Sequence, residues 1–212
     1  MAERRWPMAV AVLAATMLMF FAPRHAVVSF WWIFPVIQLV LLGALIVADP
    51  GRIDRRSTVL RRATIVLIAV MTVANTLSAL VLIDGIIAGI PDITPTILLG
   101  SGAAIWVTNV IIFSLWFWEL DRGGPTERMM GSGVPVSFVF PEEANTEHAA
   151  AQGWEPTYPD YLYLAYTNAI SFSPTDTMPV RMWAKMTMMI ESAISLLIAI
   201  LVVARAVNIL PT

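Results

Sequence analysis

Along the chain, long charge-free apolar runs alternate with short charged stretches. The first run, Trp6–Ala22 (WPMAVAVLAATMLMFFA), has 17 residues, the short limit for an α-helix crossing a bilayer. The basic start MAERR resembles a signal peptide, but the exit FFAPRH has no small-x-small cleavage pattern, so a retained helix is expected. The second run lies between His25 and Asp49 and holds 23 residues, Pro35 and Gln38 among them. A third run of 21 lies between Arg62 and Asp84, and a fourth of 26 between Asp92 and Glu119. The fifth is interrupted: Arg181, Lys185 and Glu191 follow Pro179, and only Ser192–Ala204, 13 residues, is free of charge. Extended to Met182–Asn208, it is long enough to span. The pattern predicts an all-α fold: a polytopic transmembrane helical bundle of five spans, with one short re-entrant or interfacial helix before the last.

Three regions follow. Residues 1–119 are expected to form a four-span bundle. Residues 120–158 form an extramembrane Gly/Pro-rich acidic loop, and residues 159–212 a pore-like re-entrant helix, polar turn and fifth span. From Asp121 to Asp160 there are seven acids against two Arg. Within the loop VPVSFVFP (134–141) alternates weakly, as a strand or hairpin does. The segment as a whole reads as a mobile loop, with a structured lid as the other reading. Trp6, Trp31, Trp32, Trp116, Trp118 and Trp183 lie near span ends, where interfacial indoles are expected. Tyr161, Tyr163 and Tyr166 read as interfacial anchors in the same way.

Composition fixes the class. Hydrophobic residues make up 58% and charged residues 13%, where soluble domains carry roughly 25% charged. Mean hydropathy is +0.75. Net charge is −2, which leaves no basic surface for nucleic acid. There is no Cys, and the two His, His25 and His148, lie far apart outside the apolar runs. A thiolate, haem or His-based metal site is therefore not expected. Phosphate-binding glycine patterns, GxSxG and HExxH are missing from the sequence, so neither an enzyme nor a cofactor is expected.

Charge position adds sidedness. With five spans, one side collects Arg4, Arg5, Arg52, Arg55, Arg56, Arg61, Arg62, Arg122, Arg128, Arg181 and Lys185, and the other Arg24 and Arg205. Eleven against two places the N-terminus in the cytoplasm and the C-terminus outside, in a cell (inner) membrane. The loop GRIDRRSTVLRR carries most of this signal and meets anionic lipid.

Ionisable and polar residues inside apolar runs are candidates for function. Glu191 leads, with Thr187, Ser195 and Arg205 on the same face of the fifth helix. Two readings stand: Glu191 carries a proton or cation, or it bonds a neighbouring helix and fixes packing. A direct pair with Arg205 is out of reach, since fourteen residues of helix span about 21 Å. Asn75 with Thr72 and Thr76, and Asn109 with Thr108, form smaller stripes expected to be interhelical hydrogen bonds. Gly100–Ala104 offers a small-residue packing surface. In SPTDTMP, Asp176 reads as a helix cap with Pro179 in the first turn, or as part of a pore.

Two resemblances bear on this. The stretch DYLYLAYTNAISFSPTDTMPVRMWAKMTMMIESAISLLIAILVVARAVNIL has the order of an aromatic helix, a polar turn, Pro and a spanning helix. It resembles the pore helix, filter and inner helix of P-loop cation channels. Asp176 and Pro179 match that family's positions and Ser171 is close, while Ser173, Pro174 and Thr175 replace its two Gly and its Tyr. Pro174 fixes φ and removes a donor, so a potassium-type carbonyl filter is not expected. What the resemblance implies instead is a lining of Ser171, Ser173 and Thr175 hydroxyls with a ring of Asp176 carboxylates, which favours cations. The charge-derived sidedness is opposite to that of potassium channels and the same as that of glutamate-receptor pores. Separately, FWELDRGGP (117–125), F-x-F-P (138–141), W-x-P (154–156) and DYLYLAYTNAISFSPTDTMP through ARAVNIL resemble a family of multi-pass membrane proteins of bacteria, particularly actinobacteria, that has no assigned activity.

The expected function is a channel-like homo-oligomer in the lipid bilayer with a cation pathway of non-potassium type. The competing expectation is a non-conducting scaffold or accessory subunit that meets a protein partner through residues 120–158. A small proton-coupled transporter using Glu191 is the third.

Overall fold

The computed structural model describes residues 4–21, 31–49, 57–88, 94–131, 133–144, 154–171 and 176–209. Its helices are α1 (Trp6–Leu18, continued by a 3-10 turn to Phe21), α2 (Ile33–Ala48), α3 (Thr58–Ala88) and α4 (Pro95–Leu120). Two short helices follow, α5 (Pro125–Met130) and α6 (Pro141–Ala144), and then α7 (Tyr158–Ser171) and α8 (Met182–Ile209). Two-residue strands β1 (Phe138–Val139) and β2 (Met178–Pro179) pair antiparallel, Phe138 opposite Pro179. The all-α expectation holds. Among the described residues α3, α8 and α4 with its continuation to Met130 are long and apolar enough to cross a membrane. At 13 and 16 residues, α1 and α2 are about 20 and 24 Å long and fall short of that length.

Helix α4 is the centre of the bundle. Every residue from Thr108 to Leu115 is buried, because α1, α3, α7 and α8 all pack around it. A helix surrounded in this way needs no polar face, which is why its run is apolar on all sides. One core cluster joins Met8 and Val12, Leu42 and Leu45, Leu67 and Met71, Ile112 and Leu115, Tyr161 and Leu164, and Met188. A second, built from Ala79, Leu82, Leu98, Ile105, Ile198, Val202 and Ala206, joins α3, α4 and α8 towards the opposite end. Large apolar side chains cover the outer faces, among them Val47, Val59, Ile87, Met182, Met189 and Val207.

The ends of the helices sort by charge. Arg5 meets Asp49, and Arg61 meets Glu119, so the start of α1, the end of α2, the start of α3 and the end of α4 share one end of the bundle. This polar end also carries the start of α7, whose Tyr158 meets Ser114 and Trp118. The start of α8 lies there too, its Trp183 against Phe138. At the opposite end α4 and α8 touch through Gly102: a Cβ added there would lie 2.7 and 2.8 Å from the two methyls of Val202. The β-branched partner has little freedom to move aside. Gly102→Ala is expected to destabilise the bundle by about 1–3 kcal/mol through overpacking. Thermal unfolding in detergent measures it, and Val202→Ala in the same chain should restore most of the loss.

Two sequence expectations are corrected here. Residues 121–131 and 133–144 are packed on the bundle rather than a loose loop: Asp121, Ser137, Phe138 and Phe140 are buried, and Phe138 packs on Phe117, Tyr161 and Trp183. Residues 145–153 lie outside the described residues. Pro179 does not open the last helix: its segment is extended because Met178–Pro179 pairs with β1, and α8 begins at Met182.

Candidate functional site

Helix α7 organises the polar chemistry. Tyr161 of α7 and Trp183 of α8 both contact the Phe138 ring. Seven residues further along α7, Asn168 meets Met188 and Glu191 of α8. The two helices therefore run side by side in the same direction. Between Tyr161 and Ser171 α7 advances about 15 Å from the polar end. The chain is back at that end by Val180, whose N–H donates to the Ser137 carbonyl at 2.9 Å. Helix α7 leaves the polar end, and the extended pair Met178–Pro179 lies at that same end.

Inside the bundle, α4, α7 and α8 share a polar cluster. The Asn168 amide donates to Glu191 Oε2 at 2.7 Å and to the Met188 carbonyl at 3.0 Å. Ser192 Oγ donates to the Asn168 carbonyl at 3.2 Å. One step further along α8, Asn109 Nδ2 of α4 donates to Ser195 Oγ at 3.1 Å. Glu191 and Ser195 are fully buried, and Glu191 Oε1 has no partner among the described residues. The stripe on α8 thus faces its own protomer rather than the exposed side of the helix. Glu191 joins α8 to α7 through Asn168, a partner that the apolar pattern does not single out, and Ser195 joins α8 to α4 through Asn109.

The remaining sequence-derived residues fall in different places. Asp176 is exposed in the bend just before β2. Ser171 is the last residue of α7, and Ser173, Thr175 and the side chain of Ser171 lie outside the described residues. Asn75 is buried on α3, and among the described residues no hydrogen bond joins it to the Glu191 cluster. Its neighbour Thr72 instead accepts from Trp116 Nε1 at 3.0 Å. Trp116 therefore spends its N–H inside the bundle, and Trp118 is buried beside Tyr158, so neither is the interfacial anchor that span-end position suggested. Tyr163 and Tyr166 are exposed, whereas Tyr161 is fully buried. Arg205 is half-buried, far along α8 from Glu191.

The polar end holds what the sequence concealed. Asp121, at the end of α4, is fully buried. Its Oδ1 accepts from the Ser137 N–H at 2.8 Å and its Oδ2 from the Tyr161 hydroxyl at 2.7 Å. Burial pushes the Tyr158 and Tyr161 phenols above their ordinary value, so Tyr161 remains a hydroxyl donor. Arg128 Nη1 caps α4 by donating to the carbonyls of Trp118 (2.6 Å) and Asp121 (3.0 Å), where a helix end leaves acceptors unfilled. Its guanidinium lies 5.1 Å from the Tyr161 ring centre. Arg122 takes a left-handed backbone (φ 52°) and pairs with Asp121 and Glu143. Gly124 (φ 94°) turns tightly enough that a Cβ would sit 3.0 Å from the Glu119 carbonyl, so the turn needs glycine. The signal was present as FWELDRGGP, a knot of charge and Gly-Gly closing an apolar run.

A cavity of about 220 Å³ opens beside this turn, lined by Arg5, Asp49, Arg61, Glu119 and Glu127 with Ser57, Thr64 and Trp118. Among the described residues no three His, Asp or Glu side chains gather as a metal site. No family model, curated protein or solved structure matches the chain.

Proposed function

We propose that the chain is a five-span membrane protein whose copies assemble around α7 and its return strand to form a cation pathway. The charge-rich polar end faces the cytoplasm, as the split of basic residues requires. The C-terminus then lies outside. Helices α1 and α2 complete the five crossings by tilting little and drawing the bilayer towards their short apolar length.

The observation that carries this reading is the return of the chain after α7. Placed in a bilayer, α7 starts at the polar end, and the chain is extended and back at that same end at Met178–Pro179. Non-helical backbone at membrane depth persists only where protein buries it or water lines it. In one protomer the outer side of α7 (Tyr163, Tyr166, Ile170) and Asp176 are exposed. Further copies of the chain that cover α7 and surround the turn with water satisfy both conditions at once. Asp176 carboxylates, joined by the Ser171, Ser173 and Thr175 hydroxyls of the resemblance, then form a ring that prefers cations.

Reconstituted into vesicles, the protein is expected to pass small monovalent cations, and Asp176→Asn to lower cation-over-anion preference severalfold as the ring loses its charge. Bi-ionic potentials measure this. Absence of flux from verified oligomers, across voltage and pH, would sink the pathway. The accessory-subunit reading would then lead, and the exposed apolar side chains of Met130, Val134 and Val136 at the polar end favour it as a partner surface.

A further inference from the structure

We infer that Asp121 is the positioning residue of the turn that carries Asp176, because its one carboxylate holds both legs of the α7 hairpin. Only the flux consequence rests on the pathway proposed above. The ingoing leg is bonded directly, Tyr161 Oη to Asp121 Oδ2 at 2.7 Å. The outgoing leg is bonded through one residue: Asp121 Oδ1 accepts from Ser137 N–H at 2.8 Å, and the Ser137 carbonyl accepts from Val180 N–H at 2.9 Å. Phe138 next to it pairs with Pro179. The Asp121 backbone is held by Arg128, which grips the Asp121 and Trp118 carbonyls and covers the Tyr161 ring, and Arg122 Nε lies 3.4 Å from the carboxylate Oδ2. Asp176 lies two residues before β2, so the bonded return leg sets where it can stand.

A plain staple at the end of α4 would have the same bonds without this consequence. A staple supports overall stability, whereas a positioning residue governs how often the turn opens while the bundle stays folded. Thr177, next to Asp176, is buried, 2% exposed, so a thiol at that position reacts only when the turn opens. The chain has no Cys, so Thr177→Cys supplies a single reporter thiol.

The experiment measures the rate of Thr177→Cys modification by a charged, membrane-impermeant thiol reagent in phospholipid vesicles. Three further backgrounds are compared: Tyr161→Phe, Asp121→Asn and, as a control, Gly102→Ala at the far end of the bundle. Losing one hydrogen bond to a buried carboxylate should raise the rate about tenfold or more in Tyr161→Phe, which removes a single oxygen and preserves the ring. Asp121→Asn should raise it as well, and Gly102→Ala should leave it near the parent value while lowering the melting temperature. Equal rates in all backgrounds, or a control that reacts as fast as Tyr161→Phe, would overturn the assignment. Where the parent conducts, Tyr161→Phe should shift its ionic preference without abolishing current, and an unchanged preference counts against the assignment. Where verified oligomers do not conduct, the pathway fails, and the labelling rates alone decide on Asp121.

Discussion

Asp49→Ala should destabilise the protein by about 3–5 kcal/mol, as removing one member of a buried ion pair generally does. Arg5 and Asp49 are each 5% exposed and their side chains meet at 2.7 Å. The pair ties the first turn of α1 to the end of α2, across 44 residues of chain. Without the carboxylate, the buried Arg5 guanidinium loses its direct ion-pair partner, and either α1 frays or water enters the neighbouring cavity. Arg5→Ala should cost a similar amount, because the stranded group is then Asp49. The double replacement Arg5→Met with Asp49→Leu should lose far less than the sum, since no charge remains to be desolvated. Denaturant or thermal unfolding of the four proteins in one detergent gives the coupling directly. Additive losses would mean that the two side chains act independently.

The second large effect is expected at Glu191. Glu191→Leu removes the acceptor of the 2.7 Å bond from Asn168 and leaves that buried amide with only the Met188 carbonyl. The expected loss is about 1–3 kcal/mol, the usual cost of an unsatisfied buried polar group. It should appear as partial release of α7 from α8, read as faster proteolysis or thiol labelling near Asn168. Glu191→Gln keeps an acceptor oxygen in the same place, so its stability and oligomeric state should stay close to the parent. The conservative change also separates the two roles weighed for this residue. A Gln variant that assembles and conducts leaves Glu191 as a seam residue, whereas one that assembles without flux points to a carried proton.

The long elements were legible because membrane segments announce themselves by exclusion of charge. The run between Arg62 and Asp84 became the core of α3, that between Asp92 and Glu119 became α4, and Met182–Asn208 became α8 within one residue. Glu191 and Ser195 were visible as a stripe for the same reason: polar groups stand out in an apolar helix. What joins them was not visible, since Asn168 and Asn109 lie 23 and 86 residues away on other helices. Asp121 was harder still, because it sits in a charged stretch where one acid looks like any other. Its importance comes from burial by Ser137 and Tyr161, 16 and 40 residues downstream. Pro179 misled for a physical reason: proline suits the first turn of a helix and the edge of a sheet equally, and only the partner strand β1 selects between them.

The pairing of β1 with β2 across α7 carries a consequence for biogenesis. Phe138 leaves the ribosome forty-one residues before its partner Pro179, and the acceptors of the Asn168 amide, Met188 and Glu191, come later still. At the moment of its synthesis α7 already has α4 to pack on, through Ser114 and Asp121, but neither the strand that closes its return nor the helix that accepts its amide. Its seating is therefore expected to be completed only once α8 is in place. A nascent chain arrested before α8 should leave the Asn168 end of α7 more open to protease than a chain released after α8.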